Sequence, residues 1–279
     1  MDDEFSINHE GLPSPSRIDE SGLNSYLRRT FAGYVMSQQK TYNIHCPKCQ
    51  QDLSVELYES INVQTSPDLK KLLMANQMNT VTCEQCALTF RVDKPLLYHD
   101  PVRSFMIYQI PMGEDSLEKG EREFTASLGR LSSLIPKDIQ TPDVSLVFSR
   151  TELVERIFLR DAGLNERIIE YIKYMIYVRN VGKINPAKKI LLFDAEDSTP
   201  EALCFVVQDV ESKKLESVLQ YDRKTYTALC ETFDKDDQTP TLLELFPGPY
   251  ISARRLLLKE MSEPHSGEPK PPGSLDSPK

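Results

Sequence analysis

The sequence predicts an α+β protein with two ordered modules between polar tails. Three observations support this fold class. Apolar residues alternate with polar ones at several places, as at Leu53, Val55 and Leu57, and this period of two is typical of half-buried strands. Other segments have helical spacing, of which Ile168, Ile172 and their neighbours form the broadest apolar face. Proline and glycine concentrate at the C-terminal end of the chain, and acidic residues open its N-terminal end.

Composition restricts the classes of protein to consider. The 279 residues include 33 basic and 42 acidic side chains, and the net charge of -9 argues against nonspecific binding to a polyanion. Six cysteines are too few for a disulfide scaffold. The chain begins with acidic residues and no apolar segment follows them, so we expect no export signal and no membrane span. The expected location is the reducing cytoplasm, where thiols are free or bound to a metal.

Four segments are expected along the chain. Residues 1–38 are polar and begin with acidic residues, and residues 262–279 are polar and rich in proline. We predict that both are disordered because they have too little apolar surface to offset ordering entropy. Residues 39–142 form the N-terminal module in this prediction. Residues 143–261 form an α+β C-terminal module.

In the N-terminal module, a strand at 53–57 is followed by a helix at 67–75. Ser66, Pro67 and Asp68 supply the cap, the first helical position and an early acidic group for this helix. The pattern then indicates strands within 81–92 and 105–110, and a helix through 124–131 that ends near Pro136.

In the C-terminal module, a strand at 144–148 leads into a helix that we expect to start with Thr151 as its cap and to stop at Gly163. Asn165 opens the next helix, and Asp222 caps another. Further strands are predicted at 190–193, 203–207 and 215–219, and a last helix at 253–261. Glutamates and arginines at helical spacing between 152 and 170 predict a solvated, salt-bridged face.

Four cysteines lie in two Cys-x-x-Cys pairs, Cys46 with Cys49 and Cys83 with Cys86. Two intervening residues let a turn direct both sulfurs at one ion, so two such turns complete a tetrahedral zinc site. The 33 residues between the pairs exceed the usual spacing of about 15 to 20, but a strand and the helix at 67–75 account for the excess. The N-terminal module is therefore expected to be zinc-ribbon-like, with an inserted helix and a structural zinc ion.

Beyond the cysteines themselves, several short motifs occur in the order found in the CpXC domain, which this chain resembles between about residues 40 and 180. They are Cys46-Pro47-Lys48-Cys49, Ile61-Asn62-Val63, Pro67-Asp68-Leu69-Lys70, Asn79, the run at 95–100, and the segments at 152–157 and 163–170. The resemblance implies a metal-binding domain of bacterial and archaeal proteins without an established activity. Gln50 and Ala87 stand where a glycine often follows the cysteine pair, and Glu84 replaces a proline.

Two other residues are candidates for a site. His99 and Asp100 are adjacent, but neighbours on a strand point to opposite faces, so packing or turn formation is the favoured interpretation over an acid–base pair. His45 is an alternative metal ligand beside Cys46. Cys204 and Cys230 lie on apolar stripes and are interpreted as small hydrophobic residues.

Three functions remain open at this point. The first is a non-catalytic interaction or scaffold protein with a protein partner. The second is nucleic-acid binding through the ribbon, although basic and acidic side chains nearly balance between residues 40 and 103. The third is a thiol redox enzyme, which would place a Cys-x-x-Cys pair at the start of a helix. The sequence favours the first.

Overall fold

The computed structural model describes residues 36–113, 116–132, 141–234 and 239–262. Most of the tails predicted at 1–38 and 262–279 lies outside these ranges, but Gln38 begins a strand and Ser262 ends a helix. The described residues confirm the α+β class. The strands are β1 (Gln38–His45), β2 (Asp52–Asn62), β3 (Thr80–Thr82), β4 (Thr89–Arg91), β5 (Leu96–Asp100), β6 (Phe105–Gln109), β7 (Asp143–Val147), β8 (Lys189–Asp194), β9 (Ala202–Asp209) and β10 (Leu215–Asp222). The helices are α1 (Pro67–Met74), α2 (Leu117–Ser132), α3 (Arg150–Asp161), α4 (Glu166–Arg179), α5 (Arg223–Phe233), α6 (Thr239–Leu245) and α7 (Ala253–Ser262).

The chain divides into two compact units. The first unit runs through Arg167 and includes Phe246–Ile251, and the second contains Ile168–Leu245 and the residues from Ser252 onward. The sequence predicts a module boundary between residues 142 and 143. Strand β7 pairs in parallel with β6, so residues just after that point are part of the sheet of the first unit.

The first unit contains a five-stranded mixed sheet in the order β1-β2-β5-β6-β7. One face packs against α1 and α3 through a core that includes Leu73, Leu96 and Leu153. The other face packs against α2, where Phe124 contacts the cluster that includes Leu97 and Met106. Every residue of β5 and β6 is buried, because helices cover both faces of these strands.

The β1-β2 hairpin is joined by a short β3-β4 hairpin to form a ribbon with its own core. Strand β2 belongs to both parts. Its residues up to Ser60 pair with β1, and Ser60–Asn62 pair in parallel with β5. The ribbon is thus a continuation of the sheet, and the inserted helix α1 packs on the sheet face beside it.

Most of the predicted elements form, and the differences have local causes. β1 was not predicted because its residues are largely polar and exposed. β5 was not predicted because a strand buried on both faces shows no alternation. Helix α3 is capped by Ser149, whose side chain accepts from the Glu152 amide while Glu152 bonds back in a capping box, so the expected cap at Thr151 is wrong by two residues.

Several charged residues of α3 and the start of α4 are buried, and the expectation of a solvated face is wrong. Glu155, Arg156 and Glu166 are each at most 6% exposed. Arg156 Nη1 lies 3.8 Å from Glu166 Oε2, and Arg160 pairs with both Glu166 and Asp143. Helical spacing alone does not show which face another element covers.

The second unit contains the antiparallel sheet β10-β9-β8. Asp222 caps α5 by accepting a hydrogen bond from the Lys224 amide, as predicted. A buried ion pair joins Lys173 to Glu170 at 2.9 Å, and Glu170 also accepts from the amide of Ala253. No helix within the described residues has the length and apolar character needed to cross a membrane.

We expect Glu166→Gln to destabilise the first unit by about 3 kcal/mol, because the change leaves the buried Arg156 guanidinium without its compensating charge. The measurement is the free energy of unfolding in urea. Glu118→Gln is the matched control, since Glu118 pairs with Arg122 on the surface at 3.8 Å and should change stability by less than about 0.5 kcal/mol. Equal effects of the two substitutions would contradict the assignment of a buried ion pair.

Candidate metal centre

The first cysteine turn connects β1 to β2. The Cys46 amide donates to the Gln51 carbonyl at 2.9 Å, and the Gln50 amide donates back to the Cys46 carbonyl at 2.9 Å. Gln50 has φ = 60°, so the chain turns through the left-handed region there. These two hydrogen bonds close the turn and leave the side chains of Cys46 and Cys49 on the same side.

The second turn connects β3 to β4 and has the same construction. The Cys83 amide donates to the Leu88 carbonyl at 2.9 Å, and the Ala87 amide donates to the Cys83 carbonyl at 2.8 Å. Ala87 has φ = 55°. Both positions are thus in the backbone region that glycine occupies most easily, although neither is glycine.

The four sulfur atoms converge where the two hairpin turns meet. All lie within 4.8 Å of one another, and Cys46 to Cys86 and Cys49 to Cys83 are each 3.6 Å apart. A disulfide requires about 2.05 Å, whereas four sulfurs bonded at about 2.3 Å to a tetrahedral ion are about 3.8 Å apart. The spacing therefore fits four thiolates around one ion.

The protonation of the cluster is uneven. Burial raises the pKa of Cys46, but the backbone amides of Cys49 and Lys48, together with the sulfurs of Cys86 and Cys49, lower it to about 6. For Cys49 the Gln51 amide lowers the pKa, but burial and the neighbouring sulfurs together outweigh this effect and raise the pKa to about 12. Burial and neighbouring sulfurs also raise the pKa of Cys86. The cluster thus holds thiolate charge beside thiols that ionise only when a cation joins them.

Asn79 connects the second hairpin to β2. Its Oδ1 accepts from the Tyr58 amide at 2.8 Å, and its Nδ2 donates to the Tyr58 carbonyl at 3.0 Å. Its own carbonyl accepts from the Val92 amide at 2.9 Å, and its φ of 59° is one that asparagine tolerates. The sequence singled out Asn79 only as part of the resemblance. Its role in aligning the two hairpins depends on partners distant in sequence.

The remaining site candidates lie apart from this cluster. His99 is buried in β5, and burial lowers its pKa to about 4 against the attraction of Asp100. Asp100 accepts from the Arg103 amide at 3.1 Å and pairs with the Arg103 guanidinium at 3.2 Å, so it stabilises the turn between β5 and β6. His45 Nδ1 lies 2.6 Å from Asp52 at the exposed base of the first turn. Cys204 is buried and donates to the Asp197 carbonyl.

The profile of the family described as CpXC protein matches residues 44–173 of this chain. The match begins two residues before Cys46 and ends in α4, so it includes both cysteine turns and the sheet of the first unit except residues 38–43 of β1. It confirms the resemblance to the CpXC family over this region. No curated protein and no solved structure matches the chain.

Ala87→Gly should stabilise the protein by about 1 kcal/mol, because glycine adopts φ = 55° without the steric cost that a Cβ brings. The free energy of unfolding of the metal-loaded protein measures this change. Ala126→Gly is the control in the exposed middle of α2, where the same substitution should destabilise by about 1 kcal/mol. Loss of stability in both variants would show that the left-handed turn is not strained.

Asn79→Gly should destabilise the ribbon by about 2 kcal/mol, because it keeps the backbone freedom but removes both hydrogen bonds to Tyr58. Urea unfolding measures the loss, and a faster transfer of metal to a chromogenic chelator should accompany it. Asn76→Gly is the matched control: Asn76 has a φ of 57°, and its exposed side chain accepts from the Arg91 guanidinium at the surface. This substitution should cost less than about 1 kcal/mol. Equal losses of unfolding free energy in Asn79→Gly and Asn76→Gly would contradict the role of Asn79 in aligning the two hairpins.

Proposed function

We propose that Cys46, Cys49, Cys83 and Cys86 hold one structural zinc ion in this CpXC region, and that the chain is a non-catalytic interaction or scaffold protein. The observation that carries the proposal is the convergence of four sulfurs within 4.8 Å from two hairpin turns with the same hydrogen bonds. Zinc suits a set of four thiolates because it is soft enough for sulfur and accepts tetrahedral geometry.

A four-thiolate site favours a structural role. Each of the four positions around a tetrahedral ion is filled by a cysteine, so no position remains for water or a substrate. The ion would join the two hairpins and complete the small core formed by residues such as Ile44, Leu57 and Phe90. Isolated zinc modules gain on the order of 10 kcal/mol of apparent folding free energy from the metal.

The placement of the cysteines also bears on the redox alternative. Both pairs lie in hairpin turns followed by strands, whereas a thioredoxin-like pair lies at the start of a helix. The low pKa of Cys46 is a property shared by redox thiols and metal ligands. The two functions therefore differ in whether the four thiols remain protected in the native protein.

The charges of the region weaken the nucleic-acid alternative. Five of its basic side chains are in ion pairs with acidic groups within the first unit: Lys70, Lys71, Arg91, Lys94 and Arg103. Binding to phosphate backbones needs clustered cations that release counterions. An acidic chain with a net charge of -9 is better suited to a protein partner.

Cys46→Ser should abolish stoichiometric zinc binding and unfold the ribbon, whereas Cys230→Ser, on α5 of the second unit, should leave both unchanged. Elemental analysis after dialysis measures the metal, and cobalt substitution should give the ligand-field absorption of a four-thiolate site. Chelation should expose four additional thiols to titration, one for each clustered cysteine. A chain that retains its metal after Cys46→Ser would contradict the ligand set.

The same preparation separates the alternatives. Reversible disulfide turnover by the metal-loaded protein would favour the redox enzyme over the proposal. A salt-dependent anisotropy change with labelled DNA or RNA at low ionic strength would favour nucleic-acid binding. We expect neither disulfide turnover nor an anisotropy change. We expect that wild type and Cys230→Ser capture the same protein partners and that Cys46→Ser does not capture them.

A further inference from the structure

Arg150 is a buried cation whose side chain lacks hydrogen-bond partners in the part of the chain that the structure describes. Only 7% of the residue is exposed, and Nε, Nη1 and Nη2 are all enclosed without a partner among the described residues. A guanidinium has five donors, and an unpaired charge in the interior costs several kcal/mol. Such a group in a folded protein indicates that something supplies the missing acceptors.

The guanidinium lies at the edge of the main sheet where β6 and β7 end. Arg150 is the first residue of α3 and shares a helix face with Leu153 and Ile157, which pack against the sheet. Helical side chains lean toward the N-terminus, so that of Arg150 extends beneath the start of α3. The positive end of the helix dipole and the ends of two parallel strands thus meet at this place.

Gln109 presents a complementary group at the same end of the same face. It is 1% exposed, and its Oε1 has no hydrogen-bond partner among the described residues. Gln109 lies opposite Leu96 and Val147 in the sheet, and both belong to the core that contains Leu153. An unsatisfied acceptor and unsatisfied donors are therefore directed to one region.

Neighbouring charges leave the guanidinium only partly compensated. Asp93 attracts Arg150 and Arg91 repels it, while burial lowers the pKa of Arg150 to about 10, so it stays cationic at neutral pH. Asp93 already pairs with Arg91 at 3.0 Å, and their side chains are 31% and 26% exposed. The partly exposed Asp93–Arg91 pair therefore lies on the side of the Arg150 guanidinium that is nearest to solvent. The Glu152 carboxylate has other partners, because it accepts from the amides of Phe148 and Ser149 and from the Tyr250 hydroxyl.

We propose that Arg150 and Gln109 bind a small oxyanion that carries a proton, such as hydrogen phosphate. The guanidinium donates two parallel hydrogen bonds to two ligand oxygens. Gln109 Oε1 accepts from the ligand hydroxyl, which sulfate and carboxylates lack at neutral pH. The start of α3 adds positive potential. The site lies in the sheet of the first unit and is independent of the cysteine cluster.

The test uses the full chain with its metal, titrated with sodium phosphate, sulfate or acetate at constant ionic strength. Calorimetry and thermal unfolding should show phosphate binding, with sulfate and acetate weaker. Arg150→Met should weaken phosphate binding by at least about tenfold, as expected for the loss of a charge-assisted pair. Arg122→Met, which removes an exposed arginine from α2, should bind phosphate as wild type does.

Two further results decide the proposal. Without phosphate, Arg150→Met should unfold at a higher temperature than wild type, because it removes an uncompensated buried charge. Gln109→Met should lower the affinity for phosphate to the affinity for sulfate, and it should leave the affinity for sulfate unchanged. The site is refuted if wild type shows no phosphate binding, if Arg150→Met binds phosphate unchanged, or if this variant is destabilised without phosphate. If Gln109→Met still binds phosphate more tightly than sulfate, the proposed hydrogen bond from the phosphate hydroxyl to Gln109 is refuted.

Discussion

Four sulfur atoms within 4.8 Å of one another constrain the whole ribbon. Four thiolates at this separation repel strongly, and four thiols form only weak hydrogen bonds with each other. A shared cation would change the balance, because it would remove the repulsion and join two hairpins whose own pairing is short. Strand β3 has three residues and β4 has three, too few for a hairpin that is stable alone. A cation held by the four sulfurs would therefore couple metal binding to the folding of the ribbon.

The sheet of the first unit receives this constraint through β2. The strand begins at the first cysteine turn and ends in parallel pairing with β5, so one continuous element joins the candidate metal centre to the core beneath α1 and α3. Asn79 supplies a second connection, from the second hairpin back to Tyr58 on β2. These connections explain how the 33 residues between Cys49 and Cys83 are accommodated. After β2 the chain leaves the ribbon, forms helix α1 on the face of the sheet, and rejoins the ribbon at Asn79.

The sequence predicted features that depend on neighbouring residues and missed those that depend on distant ones. The cysteine turns, helix α1 and the cap of α5 by Asp222 follow from short spacings, and the structure has each of them. The pairing of β7 with β6 and the complete burial of β5 depend on which elements cover them. Only the coordinates therefore place residues 143–167 with the first unit. The hydrogen bonds between Asn79 and Tyr58 were missed for the same reason, because they join residues that are far apart in the sequence.

Helix α3 shows most clearly how context decides the meaning of a charge. Arg156 and Arg150 lie on the same helix and are about equally buried, at 4% and 7% exposure. Arg156 faces Glu166 and donates to the Ile251 carbonyl, so its charge has acceptors within the first unit. Within the described ranges, the Arg150 side chain has no hydrogen-bond partner, and the aspartate that attracts it, Asp93, already pairs with Arg91. Because burial costs both guanidinium groups similar hydration, the difference in their partners separates a structural arginine from one suited to an external anion.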